Sequence, residues 1–189
     1  MLKGIDVSYH NGLVDFETVK QAGFDFVFCR SSYGLHADDT FPVNVENAHK
    51  AGLLVGAYHY DYGLTPADSE KQAIFCRDYI DNTGVMLELP VFYDMEDADN
   101  WKYYRNFDFS VDNITEMCKT FIDNLGLKSG VYASYYYLTN LINWPALNCP
   151  VWCAQWGDTD DFKGYCWQYT DKEIIDGKQF DANIIYGEV

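Results

Sequence analysis

The chain has no run of about eighteen consecutive apolar residues, the length needed to cross a bilayer. Its first ten residues, MLKGIDVSYH, carry no apolar stretch of the kind that opens a secretion signal, so no leader is expected here. Basic residues are few: Lys and Arg total 13 against 29 Asp and Glu, for a formal net charge of -16. That field repels phosphate backbones and anionic membranes, and no basic cluster interrupts it, which argues against nucleic-acid binding. Internal repeats, low-complexity tracts and Pro/Ser-rich linkers are also missing, so a single domain over residues 1–189 is expected. The six cysteines (Cys29, Cys76, Cys118, Cys149, Cys153, Cys166) show no zinc-finger spacing. Most lie in apolar strand or helix patterns, which points to free, buried thiols; Cys149 or Cys153 with Cys166 is the one pairing left open.

Aromatic surface is abundant. Sixteen Tyr, 12 Phe and 5 Trp make up 17% of the chain, more than a core of this size needs. Some rings are expected to line a groove where flat faces stack on a ligand, and sugars are one such ligand. Hydrophobic residues at 48% supply a full core besides.

Apolar, strand-like runs alternate with helical patterns: KGIDVS, DFETVKQAG, FDFVFCRSS, PVNVENAHKAG, LLVGAYHY. Thr65 before Pro66 reads as a helix start, with Ala73, Cys76, Tyr79 and Ile80 on one face. The strand LPVFYDME follows. Ile114, Met117, Cys118, Phe121, Ile122 and Leu125 recur at three and four, and Gly126 provides a left-handed stop before SGVYAS. Beyond residue 140 the helical period fades into PVWCAQW, YCWQYT and QFDANII, short aromatic strands joined by turns. Five strand-helix units and three further strands are too many parallel strands for a small open sheet, and closure removes the edges. The expected fold is an irregular (β/α)5β3 barrel.

In such barrels the site lies at the C-terminal strand ends, so acids that break an apolar strand just before a loop are the ones to collect. They are Asp6 in KGIDVS, Asp94 and Glu96 in FYDMED, and Asp181 in QFDANI. Residues i and i+2 of a strand share a face, about 6.6 Å apart, so Asp94 and Glu96 point the same way while Met95 packs behind. Several carboxylates buried together must separate their proton affinities, leaving at least one protonated near neutral pH. A neutral acid beside an ionised one is the equipment for breaking a glycosidic bond. Taken alone, D-x-E at a strand end also fits a solvated loop start or a divalent-metal site, and Asp6 alone also fits a helix cap.

Taken in order, GIDVSYHNG, AHKAGLLVGAYHY, PVFYDME, CWQYT and FDANI resemble the glycoside hydrolase family 25 muramidases, lysozymes of bacteria and phage that cut cell-wall peptidoglycan. The resemblance covers almost the whole chain. It implies Glu96 as general acid/base, Asp94 as the group that orients or stabilises the N-acetyl group or the sugar cation, and Asp6 and Asp181 as the residues that hold charge and geometry. It implies cleavage of the β-1,4 bond between N-acetylmuramic acid and N-acetylglucosamine without metal or cofactor. The expected partner is bacterial peptidoglycan, with no nucleic acid and no membrane, and a monomer is expected. Tyr58, Tyr132, Trp156, Tyr93 and Trp167, in or near strand ends, are the candidate sugar-binding rings. His59 reads as a satisfied core histidine, and His10, His36 and His49 offer no ligand spacing.

Two departures stand out. Tyr33 in RSSYG occupies a place where the family often carries an acid, and residues 1–189 contain no wall-binding repeat, so targeting is expected from elsewhere or from a further piece of the chain. Without a leader, release through a phage holin, or secretion with the signal trimmed, is the expected route to the wall. The rival readings are a family 18 chitinase-like enzyme, whose longer D-x-x-D-x-D-x-E pattern is absent, a non-catalytic wall-binding protein on the same barrel, and a metal-dependent hydrolase.

Overall fold

A computed structural model of the chain describes residues 1–186. In order the elements are β1 (Leu2–Val7), α1 (Phe16–Gln21), β2 (Phe26–Tyr33), β3 (His36–Ala37), α2 (Phe41–Lys50), β4 (Leu54–Tyr60) and α3 (Pro66–Thr83). Then follow β5 (Val91–Asp94), α4 (Val111–Leu125), β6 (Ser129–Ser134), α5 (Tyr135–Asn140), β7 (Val151–Ala154), β8 (Cys166–Ile175) and β9 (Lys178–Ile185). Helix ends follow local chemistry. The Thr65 side chain accepts from the Asp68 N–H with Pro66 in the first turn, and Ser110 caps α4 through the Asn113 N–H. Gly126 ends α4 at φ 73°, a conformation that costs glycine little. Ile114, Met117, Cys118, Phe121 and Leu125 are the buried face of that helix, as their spacing predicts.

Pairing is parallel from β1 through β2, β4, β5, β6 and β7 to β8. β9 runs antiparallel to both β8 and β1 and closes an eight-stranded barrel, with β3 attached to the edge of β2. The result is a single-domain mixed α/β barrel of five strand-helix units and three further strands. The reversal of β9 is the detail that the run of apolar segments did not disclose.

The wall has two faces because strand side chains alternate. Val27, Val55, Val91, Val131 and Val151 face outward, where the helices cover them; Phe26, Phe28, Phe92 and Trp152 point inward and fill the floor. The floor rings meet at 4.6–5.4 Å between centroids, as in Phe28–Trp152 and Phe92–Trp152. Inward glycines make room for them: a Cβ on Gly56 would stand 2.6 Å from the Phe28 ring. The six cysteines are unpaired, and five of them are buried. No helix among the described residues is long and apolar enough to cross a membrane.

Candidate active site

Above the aromatic floor the inward positions turn polar. A cavity of about 570 Å³ at the C-terminal mouth is lined by Asp6, Asp94, Glu96 and Asp181, together with Arg30, Tyr58, Tyr60, Tyr62, Tyr132 and Gln168. β5 accounts for two of the acids: Phe92 fills the floor, Asp94 ends the strand above it, and Glu96 follows on the same side, while Met95 is fully buried behind. Asp181 reaches the mouth by a different route. It pairs with Asp6 across the antiparallel β1–β9 ladder, so β9 enters the barrel from the mouth and carries Asp181 in its first half.

The four carboxylates have distinct surroundings. Asp6 Oδ2 accepts from Gln168 Nε2 at 3.0 Å and Asn183 Nδ2 at 2.8 Å. Those amides are fixed in turn, since Asn183 Oδ1 accepts from Trp152 Nε1 and Gln168 Oε1 from the Tyr132 hydroxyl. Burial raises the Asp6 pKa to about 6 against the pull of these two bonds, with Glu96 adding a further push. Asp94 is 4% exposed, and its Oδ1 is buried without a hydrogen-bond partner. Burial and then the Glu96 charge hold its pKa well above the usual carboxylate range. Glu96 is raised to about 7 by burial, opposed by Lys102 and reinforced by Asp181, Asp99 and Asp97. Asp181 is raised to about 8 by burial, then by Asp6 and Asp171. Burial first, and the charges of the neighbouring acids after it, disfavour ionising all four together, so the cavity holds protons at neutral pH.

The ring candidates divide. Tyr58 and Tyr132 line the cavity. Trp156 lies outside that lining, 60% exposed, with Nε1 donating to Gln168 Oε1 at 3.2 Å. Tyr93 and Trp167 do not face the cavity at all. Tyr93, next to Asp94, must point to the opposite side of the wall; it stacks on Phe121 at 4.2 Å and its hydroxyl meets Ser69 Oγ at 2.9 Å. Trp167 is turned outward beside Tyr169, and its Nε1 donates to the Gln155 carbonyl at 2.7 Å. The expectation that these two rings floor sugar subsites is corrected by strand parity. His59 is a satisfied core histidine: Nε2 meets Gln72 Oε1 and Nδ1 meets Ser32 Oγ, and burial lowers its pKa to about 4.

Sequence reasoning passed over Arg30, Tyr60, Tyr62, Gln168 and Asn183. Arg30 lies on the inward side of β2, after Phe26 and Phe28, and its Nε is 3.0 Å from Asp38 Oδ2 in a buried ion pair. A lone charge at inward parity in FDFVFCRSS was the available signal. Tyr62 separates the cavity from a second one of about 530 Å³, lined mostly by Tyr33, Leu35, His36, Trp101 and the start of α3. Tyr33, the departure at the rim, therefore serves that second cavity. Among the described residues no group of three or more His, Cys, Asp or Glu is arranged to hold a metal ion.

Comparison with known proteins gives the geometry a family. The profile of glycosyl hydrolases family 25 matches residues 5–178. An autolytic lysozyme of Clostridium acetobutylicum is 29% identical over 97% of this chain and 55% of its own length. The CTP1L endolysin superposes with a TM-score of 0.83 at 25% identity, over 98% of this chain and 66% of that one. The modular autolysin LytC of Streptococcus pneumoniae shares the fold at a TM-score of 0.86 and 24% identity, over 98% of this chain and 46% of its own. The chain thus spans about half the length of the lysozyme and of LytC. With the profile matched over nearly all of the barrel, this chain belongs to glycosyl hydrolases family 25.

Proposed function

We propose that this barrel is an N-acetylmuramidase, a lysozyme that hydrolyses the β-1,4 bond between N-acetylmuramic acid and N-acetylglucosamine in bacterial peptidoglycan. The observation that carries the reading is the meeting of four carboxylates of raised proton affinity in one aromatic-walled cavity. The lysozyme and endolysin relatives favour peptidoglycan over other glycans. The described residues form the catalytic unit, acting as a monomer at the cell wall.

Neutral Glu96 donates its proton to the glycosidic oxygen as the bond to the anomeric carbon breaks and its electrons pass to that oxygen. Positive charge then develops on the anomeric carbon and ring oxygen. Asp94, whose Oδ1 has no protein partner, serves the substrate, by orienting the N-acetyl group or by stabilising the cation. Water completes the cleavage, and the Glu96 carboxylate takes up its proton. Asp6, tied to Gln168 and Asn183, keeps negative charge in the cavity near neutral pH, and Asp181, with its higher proton affinity, helps hold the geometry. Tyr58 and Tyr132 offer ring surface to the sugars.

Mass spectrometry of digested peptidoglycan tests this. New reducing ends on muramic acid are expected; ends on glucosamine, cleavage of chitin oligomers alone, or binding without turnover would each overturn the assignment.

A further inference from the structure

Behind Glu96 lies a charge that the proposed chemistry has not used. Lys102 belongs to the loop that follows β5, yet its side chain is 2% exposed. The loop is folded back by Asp97, whose carboxylate accepts from the N–H groups of Lys102 at 2.7 Å and Tyr103 at 2.9 Å. This turn drives the lysine beneath the mouth. There Nζ donates to the Glu96 carbonyl at 2.6 Å and to the Asp61 carbonyl at 2.7 Å, and it stands 3.3 Å from Asp61 Oδ2.

The ammonium thus bridges the chain leaving β4 to the chain leaving β5, two neighbouring strand ends whose carbonyls have run out of ladder partners. Its counter-ion is held as firmly. Asp61 Oδ1 accepts from the Gly63 N–H at 2.6 Å and Gln72 Nε2 at 2.9 Å. Gln72 Oε1 accepts from the Tyr62 N–H, so His59 Nε2 donates to the same oxygen and Nδ1 accepts from Ser32. A buried polar chain therefore runs from Ser32 through His59, Gln72 and Asp61 to Lys102 and the backbone of Glu96.

We propose that Lys102, with Asp61, is a positioning pair for the reaction: the lysine fixes the backbone that carries Glu96, and its charge, trimmed by Asp61, sets how readily that acid gives up its proton. The inference rests on Glu96 being the proton donor. Burying an ion pair is expensive, and the two strand-end carbonyls call only for hydrogen-bond donors, not for a full positive charge. An ammonium here has the further effect of partly offsetting the acidic groups that face Glu96, as each of them ionises. These are Asp94 from β5, Asp181 and Asp6 across the cavity, and Asp97 and Asp99 in its own loop, with the neutral hydroxyls of Tyr60, Tyr132 and Tyr137 around it. Lys102 opposes burial in the balance that leaves Glu96 at about 7.

Two substitutions with opposite signs test the pair. Lys102→Met removes the cation: the alkaline limb of kcat/KM against pH should move up by about half to one unit, and kcat at the optimum should fall by at least ~10-fold with KM little changed. Asp61→Asn keeps the shape but frees the cation from its counter-ion, so the limb should move down by a similar amount. A residue that only held the fold would not shift the limb in opposite directions. If Lys102→Met does not fold, Asp61→Asn decides alone: a downward shift supports the pair, and an unmoved limb overturns it. Glu96→Gln is assayed alongside. If it is inactive while both limbs stay at the wild-type pH, the positioning role falls alone; if it retains full activity, the role of Glu96 and that of the pair fall together.

Discussion

Tyr93 and Asp94 are adjacent in sequence and meet opposite sides of one wall. Tyr93 lies against Phe121 and Ser69 under the helices, fully satisfied and shut away from solvent. Asp94 is almost as buried, yet Oδ1 has no partner and its proton affinity is far from ordinary. The same alternation of outward and cavity-facing side chains recurs at Trp167 and Gln168, and at His59 and its neighbours Tyr58 and Tyr60. On the outer face the polar atoms of Tyr93, Trp167 and His59 are all paired. On the inner face, at the mouth, carboxylates of raised proton affinity are held together at a cost in stability, one of them with an oxygen left unpartnered.

The largest expected effect is on the inner side. Asp94→Asn should lower kcat by ~10²-fold or more, with the unfolding temperature unchanged or raised, because the substitution removes transition-state stabilisation and relieves a buried acid. Steady-state kinetics and calorimetry on one preparation check both halves. A loss of turnover accompanied by unfolding would place Asp94 with the structural residues.

The pH dependence of stability comes next. Asp6, Glu96 and Asp181 have folded-state pKa values of about 6, 7 and 8, all above the unfolded values. The folded protein therefore binds more protons than the unfolded chain from about pH 4 to about pH 8, and stability falls as pH rises through that window. Asp15, Glu46, Asp68 and Glu88, at the surface or only partly buried, are shifted downward and lose stabilisation only as pH falls below the ordinary carboxylate range. Asp181→Asn should flatten the decline toward pH 8 in thermal unfolding. A decline unchanged in that variant would mean that the mouth is not its source.

The smallest effect belongs to the outer face. Tyr93→Phe removes one buried hydroxyl contact and should cost about 0.5–1.5 kcal/mol of stability while leaving turnover within about twofold. A tenfold fall in turnover with intact folding would contradict its outward placement.

Most of the architecture was legible because it follows from local periodicity. The three-four spacing of α4 with its terminal glycine, and the Thr65–Pro66 start of α3, specify elements without help from the rest of the chain. The acids at the mouth were legible for a related reason, since an ionisable group at inward parity beyond an apolar strand has few structural uses. Parity also decides against Tyr93, which cannot share a side with Asp94, so that information was present in FYDMED. Other features were out of reach. The reversal of β9 depends on pairing with β1, 177 residues away at the Asn183–Asp6 contact, so Asp181 reaches the mouth for a reason that no local pattern contains. Lys102 gives no signal in NWKYYR, because its burial depends on the fold of a loop and on an aspartate from another strand end.

The central claim is that the D-x-E of β5 is chemical equipment, with Glu96 as the acid. Glu96→Gln tests it most directly, since the side chain keeps its size and hydrogen-bonding shape but has no acidic proton to deliver. On purified peptidoglycan the account predicts a fall in kcat of at least ~10²-fold, with sugar binding and unfolding temperature retained. Near-normal turnover of intact walls by a folded Glu96→Gln protein would contradict it and return the pair to a structural role.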